Sequence, residues 1–231
     1  VGPGWAKGHR DGWGMVGYKN GKIGRVAKRG RDAFLDPEFP KSAKKIANSA
    51  PDIVLVHLRK ASVGKRAFVN THPFVHGRYA LCHNGSIRKS EKIVISKRMA
   101  KFIKGYTDSE RFFFRLMDTI GKKPISQSVL RKKFIKEIKA IRKAHDYVCM
   151  NMFFTDGKTI FAIRDFNEKN EVIRKEKLAG YYTLYFGQEK NGNTAVSSEK
   201  IAVKGMAWHL MRNRELVEID ALSKTTKTYR T

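Results

Sequence analysis

The sequence has little of what would cross-link the chain, divide it or anchor it in a membrane. Its 231 residues include six prolines and only two cysteines, Cys82 and Cys149. Each cysteine lies inside an apolar segment, so we expect no disulfide framework and a reducing location, the cytoplasm. No apolar run approaches the length of a membrane span, and no signal peptide opens the chain. No linker rich in Pro, Gly or Ser divides it, so we expect one domain over 1–231 and no membrane partner.

Acidic residues are also scarce. The chain has 48 lysines and arginines against 21 aspartates and glutamates, and 48 − 21 gives a net charge of +27. A surface this basic attracts polyanions and predicts salt-dependent, non-specific binding of RNA or DNA. An effect of habitat or solubility without any partner is the alternative, because net charge says nothing about fold or chemistry.

The most basic segment is a predicted helix over 126–144. Leu130, Phe134, Ile138 and Ile141 recur at helical spacing and form its apolar stripe. Basic residues crowd the remaining surface, which is either a solvated face or a surface that binds phosphate. The candidates for nucleic-acid contact are Arg131, Lys132, Lys136, Lys139 and Lys143.

A short stretch from Arg78 to Ile87 holds the clearest chemical signal. The segment from Tyr79 to His83 has the length and apolar character of a buried strand, and Asn84-Gly85 follows as a pair typical of turns. A strand that ends there presents a carboxamide and an unobstructed backbone N–H side by side, as an oxyanion hole requires. Taken alone, however, an Asn-Gly pair is more often an ordinary hairpin turn.

Four further motifs accompany this stretch in a fixed order. They are Asp11-Gly12-Trp13-Gly14, Arg59-Lys60-Ala61-Ser62, Asn70-Thr71-His72-Pro73 and Thr107-Asp108-Ser109-Glu110. With His83-Asn84-Gly85 among them, the chain resembles the class II glutamine amidotransferases, which belong to the N-terminal-nucleophile hydrolases. The first motif is similar to one in the small stand-alone branch of that family. The resemblance extends through the tail as far as Trp208.

The predicted elements indicate an α+β fold. Predicted strands are Trp13–Tyr18, Ile23–Ala27, Ile53–Leu58, Tyr79–His83, Val148–Phe154, Thr159–Arg164, Tyr181–Phe186, Asn193–Ser197 and Leu216–Ile219. Predicted helices cover 42–50, 107–117 and 126–144, and 225–231 reads as a fraying tail. Strands at both ends with helices between them suggest two packed sheets covered by helices. The resemblance implies the four-layer αββα sandwich of the N-terminal-nucleophile hydrolases.

The resemblance implies hydrolysis of the glutamine side-chain amide to glutamate and ammonia. Asn84 and Gly85 are the candidate catalytic pair of the oxyanion hole. Arg59 can hold the α-carboxylate through a bidentate guanidinium pair, which a lysine could not copy. Asp108 can hold the α-ammonium, and its place at a helix N-terminus keeps it ionised. The ordinary alternatives are a surface arginine and a helix-capping aspartate.

Other pocket residues follow from the resemblance as well. It implies that the glutamine pocket is lined by Ser62, Thr71 and His72, and that its floor is shaped by Asp11, Gly12 and Trp13. We expect no cofactor, and no metal site among His72, His76 and His83, which lack a matching acidic or thiolate cluster. A synthase that accepts ammonia is a possible partner.

The nucleophile is not apparent in the sequence. In the family it is a cysteine at the first position of the mature chain, and its own α-amine serves as the base. This chain begins with Val1, and Cys82 cannot form a dyad with His83 because neighbours on a strand point to opposite faces. Two hypotheses remain. Either an opening strand that carries the cysteine is absent from 1–231, or an inactive amidotransferase fold serves as a basic RNA- or DNA-binding component.

Overall fold

A computed structural model describes residues 8–175 and 180–231. The first sheet contains β1 (Gly12–Lys19), β2 (Lys22–Arg29) and β3 (Ile53–Arg59), with β1 in the centre and both pairings antiparallel. Asn20-Gly21 makes the turn between β1 and β2, and both residues have positive φ, as a tight hairpin requires. The predicted hairpin and the predicted strand that ends in Arg59 are confirmed.

Helix α1 (Glu38–Asn48) covers the outer face of this sheet, where Ile46 packs with Trp13. The helix begins four residues before the predicted start at residue 42. Pro40 lies in the first turn, where backbone N–H groups have no partner within the helix. The N–H that proline lacks therefore costs no hydrogen bond, and the helix can begin before Pro40.

The second sheet has six antiparallel strands in the order β12-β11-β7-β6-β5-β4. Their bounds are β4 (Phe74–His76), β5 (Tyr79–Ile87), β6 (Tyr147–Thr155), β7 (Thr159–Arg164), β11 (Glu215–Asp220) and β12 (Thr226–Arg230). The prediction of a fraying tail was wrong, because β12 pairs with β11 along its whole length. The guanidinium of Arg131 lies 4.2 Å from the centre of the Tyr229 ring in β12. This contact joins segments far apart in the chain, so the polar sequence of the tail alone does not predict it.

Helices α3 (Asp108–Ile120) and α4 (Gln127–Ala144) cover the far face of the six-stranded sheet. Their N-caps are Thr107 and Ser126, whose hydroxyls accept from backbone N–H groups three residues on. The core between helices and sheet includes the fully buried Phe112, Phe113, Leu116, Leu130, Phe134, Ile138, Phe154 and Phe161. Two short helices, α2 (Lys97–Ala100) and α5 (Glu171–Lys175), lie in the connections.

A third, smaller sheet consists of β8 (Tyr185–Gln188), β9 (Thr194–Ser197) and β10 (Ala207–Leu210), in the order β10-β8-β9. The predicted strand from Tyr181 begins four residues later than expected. Strand β10 was not predicted, although Trp208 in its centre is a typical strand residue.

The layers stack as α1, the first sheet, the six-stranded sheet, and α3 with α4. Val16, Ile53 and Leu55 of the first sheet pack directly against Ala80 and Cys82 of β5. The predicted α+β class and four-layer αββα arrangement are confirmed. Within the ranges described, no helix has the length and apolar character needed to cross a membrane.

The prediction that Asn84-Gly85 ends the strand was wrong. Strand β5 continues to Ile87, and Asn84 and Gly85 pair with Asn151 and Met150 of β6. A Cβ on Gly85 would lie 1.9 Å from the carbonyl oxygen of Cys149, and the φ of Gly85 is +149°. Glycine is therefore needed for close approach of two strands and not for a turn.

We predict that Gly85→Ala destabilises the protein strongly. Its methyl group overlaps the backbone of β6, and alanine resists the positive φ, so the free energy of unfolding should fall by about 2–5 kcal/mol. Urea unfolding measures the change. The matched control is Gly24→Ala in β2, where a Cβ would be 3.7 Å from its nearest neighbour and should cost at most about 1 kcal/mol. Equal effects of the two variants would refute the close-approach argument.

Candidate active site

A cavity of about 1410 Å³ lies between the sheets. One wall is β3 along its whole length, and the other walls come from β5, β6, β9 and the end of β11. Arg59, Asn84, Gly85 and Asp108 all line this one cavity, together with His72. The topology brings them together because β3 and β5 belong to facing sheets and α3 begins beside the end of β5.

Arg59 is buried, with 3% of its surface exposed. Its Nη2 donates to the carbonyl oxygens of Val63 at 2.6 Å and Gly64 at 3.1 Å, and its Nη1 donates to that of Lys65 at 3.4 Å. Three of the five guanidinium donors therefore hold the loop that follows β3. A carboxylate ligand would use the two remaining donors or displace a carbonyl, so the simple bidentate pair expected from the sequence is not preformed.

Asp11 holds the same loop from its other side. Its carboxylate accepts from the backbone N–H of Ala61 at 2.8 Å and from Nε of Arg66 at 2.5 Å. Burial alone would raise the pKa of Asp11, but these bonds and the nearby guanidinium groups outweigh it and lower the pKa. The ionised carboxylate therefore holds the loop at neutral pH. Its hydrogen bonds to the loop weaken only as the pH falls through the lowered pKa of Asp11.

Asp108 joins the start of α3 to the end of β5. Its Oδ2 accepts from the backbone N–H of Ile87 at 2.6 Å, and its Oδ1 accepts from the N–H of Ser109 at 2.8 Å. The hydroxyl of Ser109 also lies 3.2 Å from Oδ1, and a carboxylate has about four lone-pair positions, so at least one acceptor position remains. The helix N-terminus also favours its negative charge.

His83 links the same helix to β6. Its Nε2 lies 3.0 Å from the carbonyl oxygen of Cys149, which can only accept, so Nε2 carries a hydrogen. Its Nδ1 lies 2.9 Å from the hydroxyl of Ser109. Within the His-Asn-Gly motif, His83 therefore has a structural role. It holds β5 against β6 and α3 at the position just before Asn84.

His72 is a buried side chain at the cavity wall. Its ring lies 4.2 Å from that of His57 and 4.7 Å from that of Phe74, measured between centroids. Neither of its ring nitrogens has a hydrogen-bond partner within the described ranges. Burial lowers the pKa of both histidines, that of His57 to about 3, so both rings are neutral at physiological pH. His72 can therefore donate or accept one bond to a ligand in the cavity.

Lys28 fixes the backbone that carries His72. Its ammonium donates to the carbonyl oxygen of Thr71 at 2.9 Å and lies over the rings of Phe68 and Phe74. Burial lowers the pKa of Lys28 to about 8. The loop is thus held by a lysine from β2 that no sequence motif singled out.

Two carboxamides face the cavity across the β5–β6 ladder. The side chain of Asn84 has no hydrogen-bond partner among residues 8–175 and 180–231, so its donors are available. Asn151, its ladder partner, donates to the carbonyl oxygens of Tyr182 and Thr183 and accepts from the N–H of Asp165. Sequence reasoning missed Asn151, although a single polar residue inside the apolar run of β6 was an available signal.

The remaining predicted pocket residues do not line the cavity. Ser62 is exposed and meets the hydroxyl of Ser86 at 3.4 Å, and Thr71 is buried against the backbone of Gly12. Asp11 acts on the loop, as described above.

Trp13 lies on the opposite side of the first sheet, where its indole donates to Asp36 at 2.9 Å. Because alternate residues of β1 face opposite sides, Trp13 packs under α1 instead of beneath the pocket.

The two cysteines are free thiols in separate strands. Both are fully buried, and burial raises the pKa of each thiol. A neutral buried thiol is a poor nucleophile. His76 packs against Phe102, with 4.6 Å between the ring centroids.

Known proteins share the sequence pattern of this chain. The pattern that describes glutamine amidotransferases of class II matches residues 2–187. An uncharacterised protein of Methanocaldococcus jannaschii is 30% identical over 168 residues, which cover 71% of this chain and 45% of that protein. The probable glutamine amidotransferase DUG3 of Saccharomyces cerevisiae is 30% identical over 145 residues, which cover 52% of this chain and 41% of DUG3. The chain thus spans less than half the length of either relative.

The fold is shared as well. The structure of a glutamine aminotransferase class-II domain protein from Silicibacter pomeroyi superimposes with a TM-score of 0.62, covering 94% of this chain and 90% of that one. The two sequences are 19% identical, so this likeness concerns the fold alone.

We predict that Asp11→Ala loosens the loop that holds Arg59. Loss of a charged hydrogen bond costs about 1.5–3 kcal/mol, so the amide of Ala61 should exchange its hydrogen at least about tenfold faster. Hydrogen exchange followed by NMR measures this. The control is Asp52→Ala at the other end of β3, because Asp52 also accepts from a backbone N–H and a basic side chain. Unchanged exchange at Ala61 in Asp11→Ala would show that Asp11 does not order the loop.

Proposed function

Because the chain belongs to the class II glutamine amidotransferases, we propose that it releases ammonia from the side-chain amide of glutamine. One observation carries the proposal. Arg59, Asn84, Gly85 and Asp108, which are far apart in the sequence, line one cavity. A guanidinium and a carboxylate at the same cavity match the two ionic ends of a free amino acid.

In the proposed complex, Arg59 binds the α-carboxylate with the donors that the loop leaves free, and Asp108 accepts from the α-ammonium. The side-chain amide then lies near Asn84 and Gly85. Their N–H groups stabilise the oxyanion that forms when a nucleophile attacks the amide carbon. His72 supplies one further bond to the ligand.

The proposed reaction proceeds through a thioester. A cysteine thiolate attacks the amide carbon, a C–S bond forms, and the C–N bond breaks as the nitrogen gains a proton and leaves as ammonia. Water then attacks the thioester, releases glutamate and restores the thiol. In the family the α-amine of the same cysteine carries the proton between these steps.

This mechanism needs a thiol that neither Cys82 nor Cys149 supplies. The cavity offers a place for one, because the free edges of β3 and β9 both line it. Neither edge pairs with another strand among the residues described. We propose that a strand outside residues 1–231 lies between these edges, joins the two three-stranded sheets into one, and carries the cysteine to the end near Asn84.

An inactive fold that serves only as a nucleic-acid component remains the alternative. The net charge of +27 supports it, but charge alone does not account for four pocket groups around one cavity. We therefore favour the amidotransferase. We also propose a synthase that accepts the ammonia, and a cytoplasmic location in which both thiols stay reduced.

We predict that the chain gains glutaminase activity when a strand-forming segment that begins with cysteine precedes residue 1. Ammonia release from glutamine and covalent labelling of that cysteine by a glutamine-like diazoketone are the measurements. The matched control begins with serine and should be at least about 10³-fold slower, because the weaker nucleophile is not activated. Failure of several such extended, folded chains to bind or hydrolyse glutamine would refute the proposal.

In the active, extended chain, Arg59→Lys should raise KM for glutamine at least about tenfold and change kcat by less than about threefold. A lysine cannot reproduce the guanidinium contacts, and the α-carboxylate is remote from the reacting amide. The control is Arg25→Lys at an exposed position of β2. An unchanged KM in Arg59→Lys would remove Arg59 from the glutamine site.

A further inference from the structure

Helix α4 presents a row of four exposed lysines. Lys132, Lys136, Lys139 and Lys143 follow one another at intervals of four, three and four residues, so they lie on one face of the helix. At a rise of about 1.5 Å per residue the row is roughly 16 Å long. The apolar stripe of Leu130, Phe134, Ile138 and Ile141 faces the core and leaves this row on the outside.

Among the residues described, the acidic groups near α4 already have partners, and Asp146, just after the helix, pairs with Arg88 at 3.4 Å. Glu137, the single acid of the helix, is buried and accepts from Arg115 and Thr119 of α3. Glu218 pairs with Arg131 at 2.6 Å, and Asp165 pairs with Arg142 at 2.7 Å. None of the four lysines of the row forms an ion pair within residues 8–175 and 180–231. The row is therefore an uncompensated positive surface.

Arg131 does not belong to this surface, although the sequence suggested that it would. Its guanidinium pairs with Glu218 and lies 4.2 Å from the centre of the Tyr229 ring, and its side chain is only 18% exposed. It fastens α4 to the edge strands of the sheet. The outward charge of the helix comes from the lysines alone.

Like charges at this spacing repel one another and weaken a helix. A polyanion with regularly spaced charges would remove that repulsion. Along the axis of a DNA duplex, the phosphates of one strand recur about every 3.4 Å, so the row is as long as about five of them. We propose that the lysine row of α4 binds the phosphate backbone of RNA or DNA without sequence preference. Lysines act there as point charges on phosphate and carry no base readout.

This site is independent of the proposed glutamine chemistry. Phe154 and Phe161 of the six-stranded sheet face α4, whereas Phe153 and Ile160, their neighbours in the chain, line the cavity on the other face. The row and the cavity thus lie on opposite sides of one sheet. Substitution of exposed lysines on α4 leaves the cavity intact.

The test is binding of the whole chain to a labelled 20-nucleotide RNA and a labelled 20-base-pair DNA, measured by fluorescence anisotropy over a range of salt. The row variant is K132Q/K136Q/K139Q/K143Q. The matched control removes four other exposed lysines, K22Q/K44Q/K45Q/K97Q, so that both proteins have the same net charge. Circular dichroism and urea unfolding verify that both variants fold.

The row variant should bind at least about tenfold more weakly at 0.1 M salt. The slope of log K against log salt should become shallower by about 3 units, as expected for four lost phosphate contacts. The control should change affinity by less than about threefold. Weaker binding of the row variant to RNA only, to DNA only or to both supports the proposal and identifies the ligand.

Three outcomes would overturn it. Equal weakening in both variants would mean that overall charge, and not the row, drives binding. Absence of binding by the parent chain at low salt would remove the site altogether. Row-dependent binding to vesicles that contain phosphatidylserine, without row-dependent binding to either nucleic acid, would assign the surface to membranes. Ammonia release by the extended chain is expected to be the same in all three proteins.

Discussion

The carboxylate of Asp108 joins α3 to the end of β5, and the arrangement of the candidate site depends on that joint. Its bond to the backbone N–H of Ile87 fixes where the helix begins relative to the sheet. Ser109 and His83 continue the connection to β6. A single aspartate therefore positions the helix and also supplies an anionic group to the cavity.

Local sequence signals identified much of this architecture. The apolar run before Arg59 predicted a strand that ends in a charged group, and two helices were predicted to begin near residues 107 and 126. Such features depend on neighbours in the chain, so they can be read without coordinates. The same holds for the Asn20-Gly21 hairpin, where two residues with positive φ suffice.

Other features depend on contacts between distant segments and were missed or misread. Asn84-Gly85 has the composition of a turn, yet the approach of Cys149 makes it the middle of a strand pair. The tail forms β12 because β11 offers it a free edge and Arg131 covers Tyr229. The commitment of Arg59 to three loop carbonyls likewise follows from the path of residues 63–65.

Wherever the proposed additional strand does not cover them, the edges of β3 and β9, which are unpaired among the residues described, affect how copies of this chain behave towards one another. An unpaired strand edge is a template on which a second polypeptide can add, and this is a common start of aggregation. Val54 and Val56 on β3 are 41% and 46% exposed and line the cavity, so the accessible surface beside that edge is apolar. Mutual repulsion between molecules of charge +27 opposes that contact at low salt. Concentrated salt screens the repulsion, and under those conditions the chain loses its main protection against edge-to-edge association.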